Sequence, residues 1–249
     1  MQCLYRRFVL EVQFQKIHLE EVDSTSRYLK DYCVNNNSGC VVVCVAQKQT
    51  GGYGQQGRSW LSMERAALFS IAIPLEKQCY VGGVFSLWLA MVVHKSLSRL
   101  TGKALRMKWP NDIYCKDKKA AGILVEQVAS NEKKYLIIGV GVNKSSMDEF
   151  SEYGAVGEFE TGLLVQDLVD ECHKKDWANF DFQVINQYWH NNDYFSNGEL
   201  LRLKENNKGQ IRQVVYRGVM NSGAVQVECL GKKILLTSGA NSLRKLVLL

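Results

Sequence analysis

The sequence predicts an α+β fold, a mixed sheet with flanking helices followed by a small C-terminal β-barrel. Three observations lead there. Strand-like and helix-like patterns alternate irregularly up to residue 195, and the strands in the middle of that span are joined by short polar turns, as hairpins are. Beyond Asn197-Gly198 only short strands follow, separated by Asn206-Asn207-Lys208-Gly209, Asn221-Ser222-Gly223 and Leu230-Gly231-Lys232. The 249 residues, 46% apolar, are enough for one large domain and one small one. The expected division is a tail at 1–15, a large domain at 16–196 and the small β-domain at 197–249.

Taken in order, Ile17 to Val22 reads as a strand, and Asp23-Ser24-Thr25-Ser26 supplies capping residues for a helix to about Asn35. Val41 to Gln47 is a β-branched run of the buried-strand kind, and Thr50 to Gly57 must be a loop. Ala66 to Pro74 is the next strand, and Val81 to Leu100 a long helix ending near Gly102. Leu105, Met107 and Trp109 alternate with Arg106 and Lys108, which puts the basic pair on the other face of a strand that Pro110 ends. Ile113 to Cys115, Ala120 to Val128 and Lys134 to Val142 are strands of hairpin spacing, so the sheet should be mixed. Helices at about 163–174 and 180–191 close the large domain.

Composition excludes several classes. The longest apolar stretch, Val81 to Val93, falls short of the ~18 to 20 residues of a membrane span and is broken by Gly82, Gly83 and Ser86. No membrane association is expected. Arg6 and Arg7 are followed by Glu11 and Gln13 with no small-residue cleavage site, so no export signal is read. Eight cysteines without a Cys-x-x-Cys pair fit a reducing cytoplasm. A formal charge of +6 points to an anionic partner, but the basic residues are scattered, and an acidic protein or a phosphate-bearing substrate fits as well as nucleic acid.

Four segments carry chemistry. In Gly51-Gly52-Tyr53-Gly54-Gln55-Gln56-Gly57-Arg58-Ser59-Trp60, four glycines offer backbone amides to a phosphate, with a cation and an indole directly after. A Gly-rich surface turn has the same composition, and the ending of a P-loop is missing. Lys108-Trp109-Pro110-Asn111-Asp112 uses a proline to fix where an amide and a carboxylate point, and a hairpin can return Lys119 of Lys118-Lys119-Ala120-Ala121-Gly122-Ile123-Leu124-Val125-Glu126 beside Asp112. Two lysines in a polar turn are the plainer alternative. Gly139-Val140-Gly141-Val142-Asn143 ends a strand with two bare positions, suited to a flat ligand or simply to close packing.

In order and spacing these segments resemble the biotin protein ligases, whose pattern runs Gly-Arg-Gly-Arg-x-Gly-Arg-x-Trp, Lys-Trp-Pro-Asn-Asp, Lys-x-x-Gly-Ile-Leu-x-Glu, Gly-x-Gly-x-Asn. Ser238-Gly239-Ala240-Asn241-Ser242-Leu243-Arg244 near the end resembles the same family. The resemblance implies a class II synthetase-like catalytic domain at 16–196 that binds biotin and ATP, with an SH3-like barrel after it. It implies an enzyme that forms biotinyl-5'-AMP with ATP and Mg²⁺ and passes biotin to a lysine of the biotin carboxyl carrier domain of a carboxylase. Ser24, Thr25 and Gln49 then fall where the family binds the ureido head, with Gly52, Tyr53, Gly122, Leu124, Gly139 and Gly141 lining the biotin pocket. A ureido group needs donors and acceptors, which two hydroxyls and an amide provide. Lys119 matches the lysine on the biotin carboxylate and α-phosphate, and Arg58 the last loop arginine. Trp60 and Asn143 match adenine contacts, with Gln55 on the ATP side and Asn111 beside Asp112 near the phosphates. Lys119 and Arg58 are the expected charge-neutralising catalytic groups; Asp112 is either the acceptor of the lysine's proton or a magnesium ligand.

Two family arginines are replaced by Tyr53 and Gln55, so weaker retention of the adenylate is expected. Some members carry an N-terminal DNA-binding domain; about sixteen residues precede Ile17, and DNA is therefore not an expected partner. A homodimer stays open. The rival readings are a lipoate or octanoate ligase, whose Arg-Arg-x-x-Gly-Gly-Gly pattern is missing here, and a non-catalytic biotin sensor, against which Lys119, Arg58 and Asp112 speak.

Overall fold

The computed structural model describes residues 14–61, 65–75, 81–130, 133–146, 153–174, 180–205, 211–237 and 241–246. Most of the predicted tail, the turn at 206–209 and Ser238-Gly239-Ala240 lie outside the described residues.

The chain opens with β1 (Gln15–Val22), α1 (Thr25–Asn36) and β2 (Val42–Gln49). Ser24 caps α1 in extended conformation, its Oγ accepting from the Arg27 N–H, and Asn37 ends the helix in the left-handed region, as short polar residues can. β3 (Ala66–Leu75) follows the Gly-rich loop and leads to α2 (Gly83–Thr101), buried over most of its surface and stopped at Gly102 with φ +65°. β4 (Leu105–Lys108), β5 (Asp112–Cys115), β6 (Lys118–Ala129) and β7 (Lys134–Asn143) are consecutive hairpins. α3 (Thr161–Lys174) and α4 (Phe182–Asn192) complete this part.

The seven strands lie in the order β1-β2-β3-β7-β6-β5-β4, with β1 and β2 parallel and every other pair antiparallel. Side chains that alternate along each strand divide the core between two faces. Val42, Cys44, Ala72, Tyr135 and Ile137 meet Leu29 and Cys33 of α1. Val43, Phe69, Ile71 and Ile138 join the larger cluster with Phe85, Leu89 and Val93 of α2 and Leu164 and Leu168 of α3. The sheet is thus mixed and flanked by helices, as expected.

The second sheet, β8 (Leu200–Glu205), β9 (Ile211–Val219), β10 (Val225–Cys229), β11 (Lys232–Leu236) and β12 (Asn241–Lys245), is antiparallel in the order β11-β10-β9-β8-β12. It meets the first sheet at fixed points. The buried Trp109 indole donates to the Gly223 carbonyl at 3.0 Å, and the Tyr216 hydroxyl donates to Asp193 at 2.6 Å. Gly223 (φ +83°) lies so close to the start of α2 that a Cβ there would come within 2.6 Å of the Gly83 carbonyl carbon. No described helix is long and apolar enough to cross a membrane.

One strand differs from expectation. β4 stops at Lys108, so Trp109 and Pro110 lie in the turn, joined by a cis peptide. Lys108 is half-buried against Tyr114, whereas Arg106 is exposed and donates to the Asn191 carbonyl.

Candidate active site

The sheet's connections bring the N-terminus of α1, the end of β2, the Gly-rich loop, the 109–111 turn and the middles of β6 and β7 around one cavity of about 670 Å³. That volume suits a ligand of several fused or linked rings. β12 supplies a further wall, from Asn241 to Lys245. Ser24, Thr25, Gln49, Tyr53, Gln55, Arg58, Trp60, Asn111, Asp112, Lys119, Gly122, Leu124, Gly139 and Gly141 all line the cavity. Gly52 and Asn143 are not brought to its surface.

At one end is a chain of hydroxyls. Gln49 Oε1 accepts from the Thr25 N–H at 2.8 Å and from its hydroxyl at 3.0 Å. Thr25 Oγ1 lies 2.8 Å from Ser70 Oγ, which lies 2.9 Å from Ser26 Oγ. One donor per hydroxyl allows a consistent direction, Ser26 to Ser70 to Thr25 to Gln49. The arrangement holds the Gln49 side chain still and leaves its amide protons for a ligand. Gly139 makes the room for it, since a Cβ there would come within 2.5 Å of Ser26 Oγ.

At the other end the register of β5 and β6 carries a shift between Ile113 and Tyr114, and Lys119 Nζ comes back to within 2.7 Å of Asp112 Oδ1. Both side chains are largely buried, at 26% and 19% exposure, so the pair is stronger than a surface ion pair. Asn111 serves the backbone: its side-chain amide donates to the Ile123 carbonyl, and its own carbonyl accepts from the Ile123 N–H at 3.0 Å. Arg58, exposed at the loop's end, has no hydrogen bond or ion pair to its side chain among the described residues.

Between the two ends lies the Trp60 indole. It lies over two strand glycines: a Cβ on Gly141 would come within 2.6 Å of the indole, and one on Gly122 within 2.9 Å. Lys119 Nζ lies 5.3 Å from the ring centroid. Trp60 Nε1 is buried without a hydrogen-bond partner, and so is Oδ1 of the fully buried Asn143, whose Nδ2 donates to the Gly154 carbonyl at 3.2 Å. Among the described residues an orphaned buried polar atom is uncommon, and a bound ligand is one way in which its bonding is completed.

The sequence reading missed several residues. Ser70 is the one polar side chain inside the apolar run of β3, and that interruption was a usable signal. Lys30 holds Tyr53 together with Glu126, which the sequence showed only as the end of a motif, and Tyr194 lies 4.4 Å from Tyr114 at the cavity edge; that these residues meet joins distant elements and leaves no local trace.

Comparison with known proteins agrees with this geometry. Residues 19–143 match the Biotin/lipoate A/B protein ligase family. The Bifunctional ligase/repressor BirA of Escherichia coli (strain K12) is 37% identical over 127 residues, covering 50% of this chain and 39% of that protein. The human Biotin--protein ligase is 33% identical over 182 residues, covering 69% of this chain and 23% of that protein. The chain therefore spans less than half the length of these relatives. The solved structure of the biotin protein ligase from Aquifex aeolicus in complex with biotin and ATP matches with a TM-score of 0.69 at 26% identity, over 93% of this chain and 99% of that one. The family match takes in half of the sequence, including the hydroxyl chain, the Gly-rich loop and the Lys119–Asp112 pair, and the chain belongs to the biotin/lipoate A/B protein ligase family.

Proposed function

We propose that the protein is an ATP-dependent biotin protein ligase: it forms biotinyl-5'-AMP and transfers biotin to a lysine of a biotin carboxyl carrier domain. The observation that carries this reading is the single cavity with hydroxyl and amide donors at one end and the Lys119–Asp112 pair at the other. A ureido head fits the first, and a carboxylate meeting a phosphate fits the second. An octanoyl or lipoyl chain would offer no acceptor to the Gln49 amide protons or to the Ser24 hydroxyl proton, at about 1 to 3 kcal/mol each.

In the first step the biotin carboxylate oxygen attacks the α-phosphorus, a P–O bond forms and the bond to pyrophosphate breaks. Two anions approach, and Lys119 and Arg58 are the residues that neutralise them. In the second step the carrier's ε-amine attacks the carbonyl carbon, a C–N bond forms, AMP leaves and the amine gives up a proton. Asp112 takes that proton in one version of the reading. In the other it would hold Mg²⁺: Asp112 lines the cavity, and magnesium is commonly held by as few as one carboxylate together with substrate phosphates, although no cluster of three or more His, Cys, Asp or Glu side chains stands ready for a metal among the described residues. Such an ion would supply positive charge at the phosphates. Trp60, which lines the cavity, is suited to the face of the adenine base, whereas Asn143 lies behind the cavity surface.

The reading includes residues 16–196 as the catalytic unit, 197–249 as a small β-unit, and a cytoplasmic location. The described cysteines are all free, and burial pushes the Cys44 thiol up to about 12, which keeps it protonated and inert. The test is incubation with ATP, Mg²⁺ and labelled biotin or lipoate, with and without a carrier domain, followed by mass spectrometry. Biotinyl-adenylate without carrier and biotinylated carrier with it are expected; lipoyl products, or none, overturn the reading.

A further inference from the structure

The Gly-rich loop forms a small hairpin. Tyr53 and Ser59 face each other as an isolated bridge, the Gly54 N–H donates to the Arg58 carbonyl at 2.7 Å and the Trp60 N–H to the Gly52 carbonyl at 2.9 Å. Arg27 of α1, itself paired with Asp23, donates to the Gly51 carbonyl at 3.0 Å and so holds the base of the hairpin.

The side of the hairpin is held by a closed triangle. The Tyr53 hydroxyl donates to Glu126 Oε2 at 2.7 Å, and Lys30 Nζ donates to Glu126 Oε1 at 2.6 Å and to the Tyr53 hydroxyl at 3.0 Å. Lys30 and Glu126 are each 26% exposed, which limits screening, and every bond involves a charged group. The phenol ring adds two cation contacts, Arg27 at 4.8 Å and Lys30 at 5.4 Å. Three elements meet there: α1, the loop and β6. Tyr53 lines the cavity; Lys30 and Glu126 do not. A tyrosine where the resembling family has arginine takes that positive charge off the loop, and Lys30 beside it is neutralised by Glu126.

We infer that Tyr53 is a positioning residue, and that its triangle with Lys30 and Glu126 holds the Gly-rich loop folded against the cavity before any ligand arrives. Binding then does not have to order the loop, and affinity rises by the fraction of molecules already competent. The consequence for catalysis rests on the ligase reading above; the order of the free loop does not.

The test compares the ligand-free protein with Tyr53→Phe, Glu126→Gln and the double variant by hydrogen exchange. Tyr53→Phe keeps the ring and its cation contacts and removes only the hydroxyl. Losing a hydrogen bond to a charged group should speed exchange of the Gly54 and Trp60 amides by about tenfold to a hundredfold, with core amides of β3 and β7 unchanged. The double variant should exchange no faster than the faster single one, because the three groups act as a unit. In steady-state adenylation Tyr53→Phe should raise the KM for biotin about tenfold while kcat stays within about twofold. Unchanged loop exchange in both single variants overturns the latch, whatever the activity. Faster exchange in a protein that adenylates no biotin upholds the latch and removes the ligase reading. A fall in kcat with KM unchanged overturns the positioning role.

Discussion

Lys119 and Asp112 illustrate how far single residues were legible. Hairpin spacing allowed their pairing but left two lysines in a polar turn as the plainer alternative, and the structure sets the two side chains 2.7 Å apart. Lys119→Ala should leave the fold intact and slow adenylate formation by ~10² to 10³, the scale of one preorganised charge-stabilising donor; pyrophosphate release measures it, and near-normal release removes Lys119 from the mechanism. Gly122 and Gly141 line the cavity, and the Trp60 indole lies over both; what fills the space above a glycine is decided by residues remote in sequence, so the local pattern carries no sign of it. Tyr53 and Gln55 were read together as two lost cations, and the structure separates them. Tyr53 is bound to Lys30 and Glu126, so an arginine there would set a second cation against Lys30. Gln55 lines the cavity and makes the cleaner experiment. Gln55→Arg should slow escape of biotinyl-adenylate by about tenfold to a hundredfold, the worth of one hydrogen bond from a charged group. Trapping free adenylate after a single turnover without carrier protein reads this directly; equal residence times would show that residue 55 does not set retention.

At the scale of elements, local rules did most of the work. The cap at Ser24, the stop at Gly102 and the apolar strand runs of β2, β3 and β7 were all visible, because each depends on a few neighbouring residues. The hydroxyl chain was not, since Ser70 enters it from β3, forty-five residues from Thr25. Its place in an otherwise apolar strand hints at a buried polar role without naming the partners. Ser70→Ala leaves the buried hydroxyls of Thr25 and Ser26 each short of a partner, a cost of about 1 to 3 kcal/mol for an unsatisfied group. Denaturant unfolding should show that loss, with an unchanged m-value because the exposed surface is the same. Biotin affinity should fall with it, as Gln49 loses the support that fixes its amide. Stability within about 0.5 kcal/mol of the parent chain would mean that the hydroxyls find other partners.

At the scale of the molecule, the second sheet is part of the site. β12 walls the cavity, and the contacts that seat the sheet, Trp109 to Gly223 and Tyr216 to Asp193, start from the turn beside Asp112 and from the end of α4. Asp193 makes that junction sensitive to pH. Its carboxylate accepts from the Tyr216 hydroxyl at 2.6 Å and the Phe195 N–H at 3.1 Å, yet burial outweighs both bonds and pushes the carboxyl up to about 7 from an ordinary 3.8. A folded pKa above the unfolded one means that the folded chain binds the extra proton. The stability that Asp193 contributes is therefore full below about pH 4 and is lost as the pH rises to about 7, beyond which it changes no further. Asp193→Asn keeps a carbonyl to accept from Tyr216 and has no charge to bury. Thermal melts at pH 4.5, 6, 7 and 8 should show the variant gaining on the parent chain with each step up to pH 7 and then running parallel to it. At this chain length each kcal/mol corresponds to about 2 to 4 °C, so the gain should be several degrees. A difference that stays constant across the series, or one that grows toward acid, would mean that Asp193 is ionised in the folded protein throughout and that Tyr216 and the Phe195 amide, not burial, govern the carboxylate.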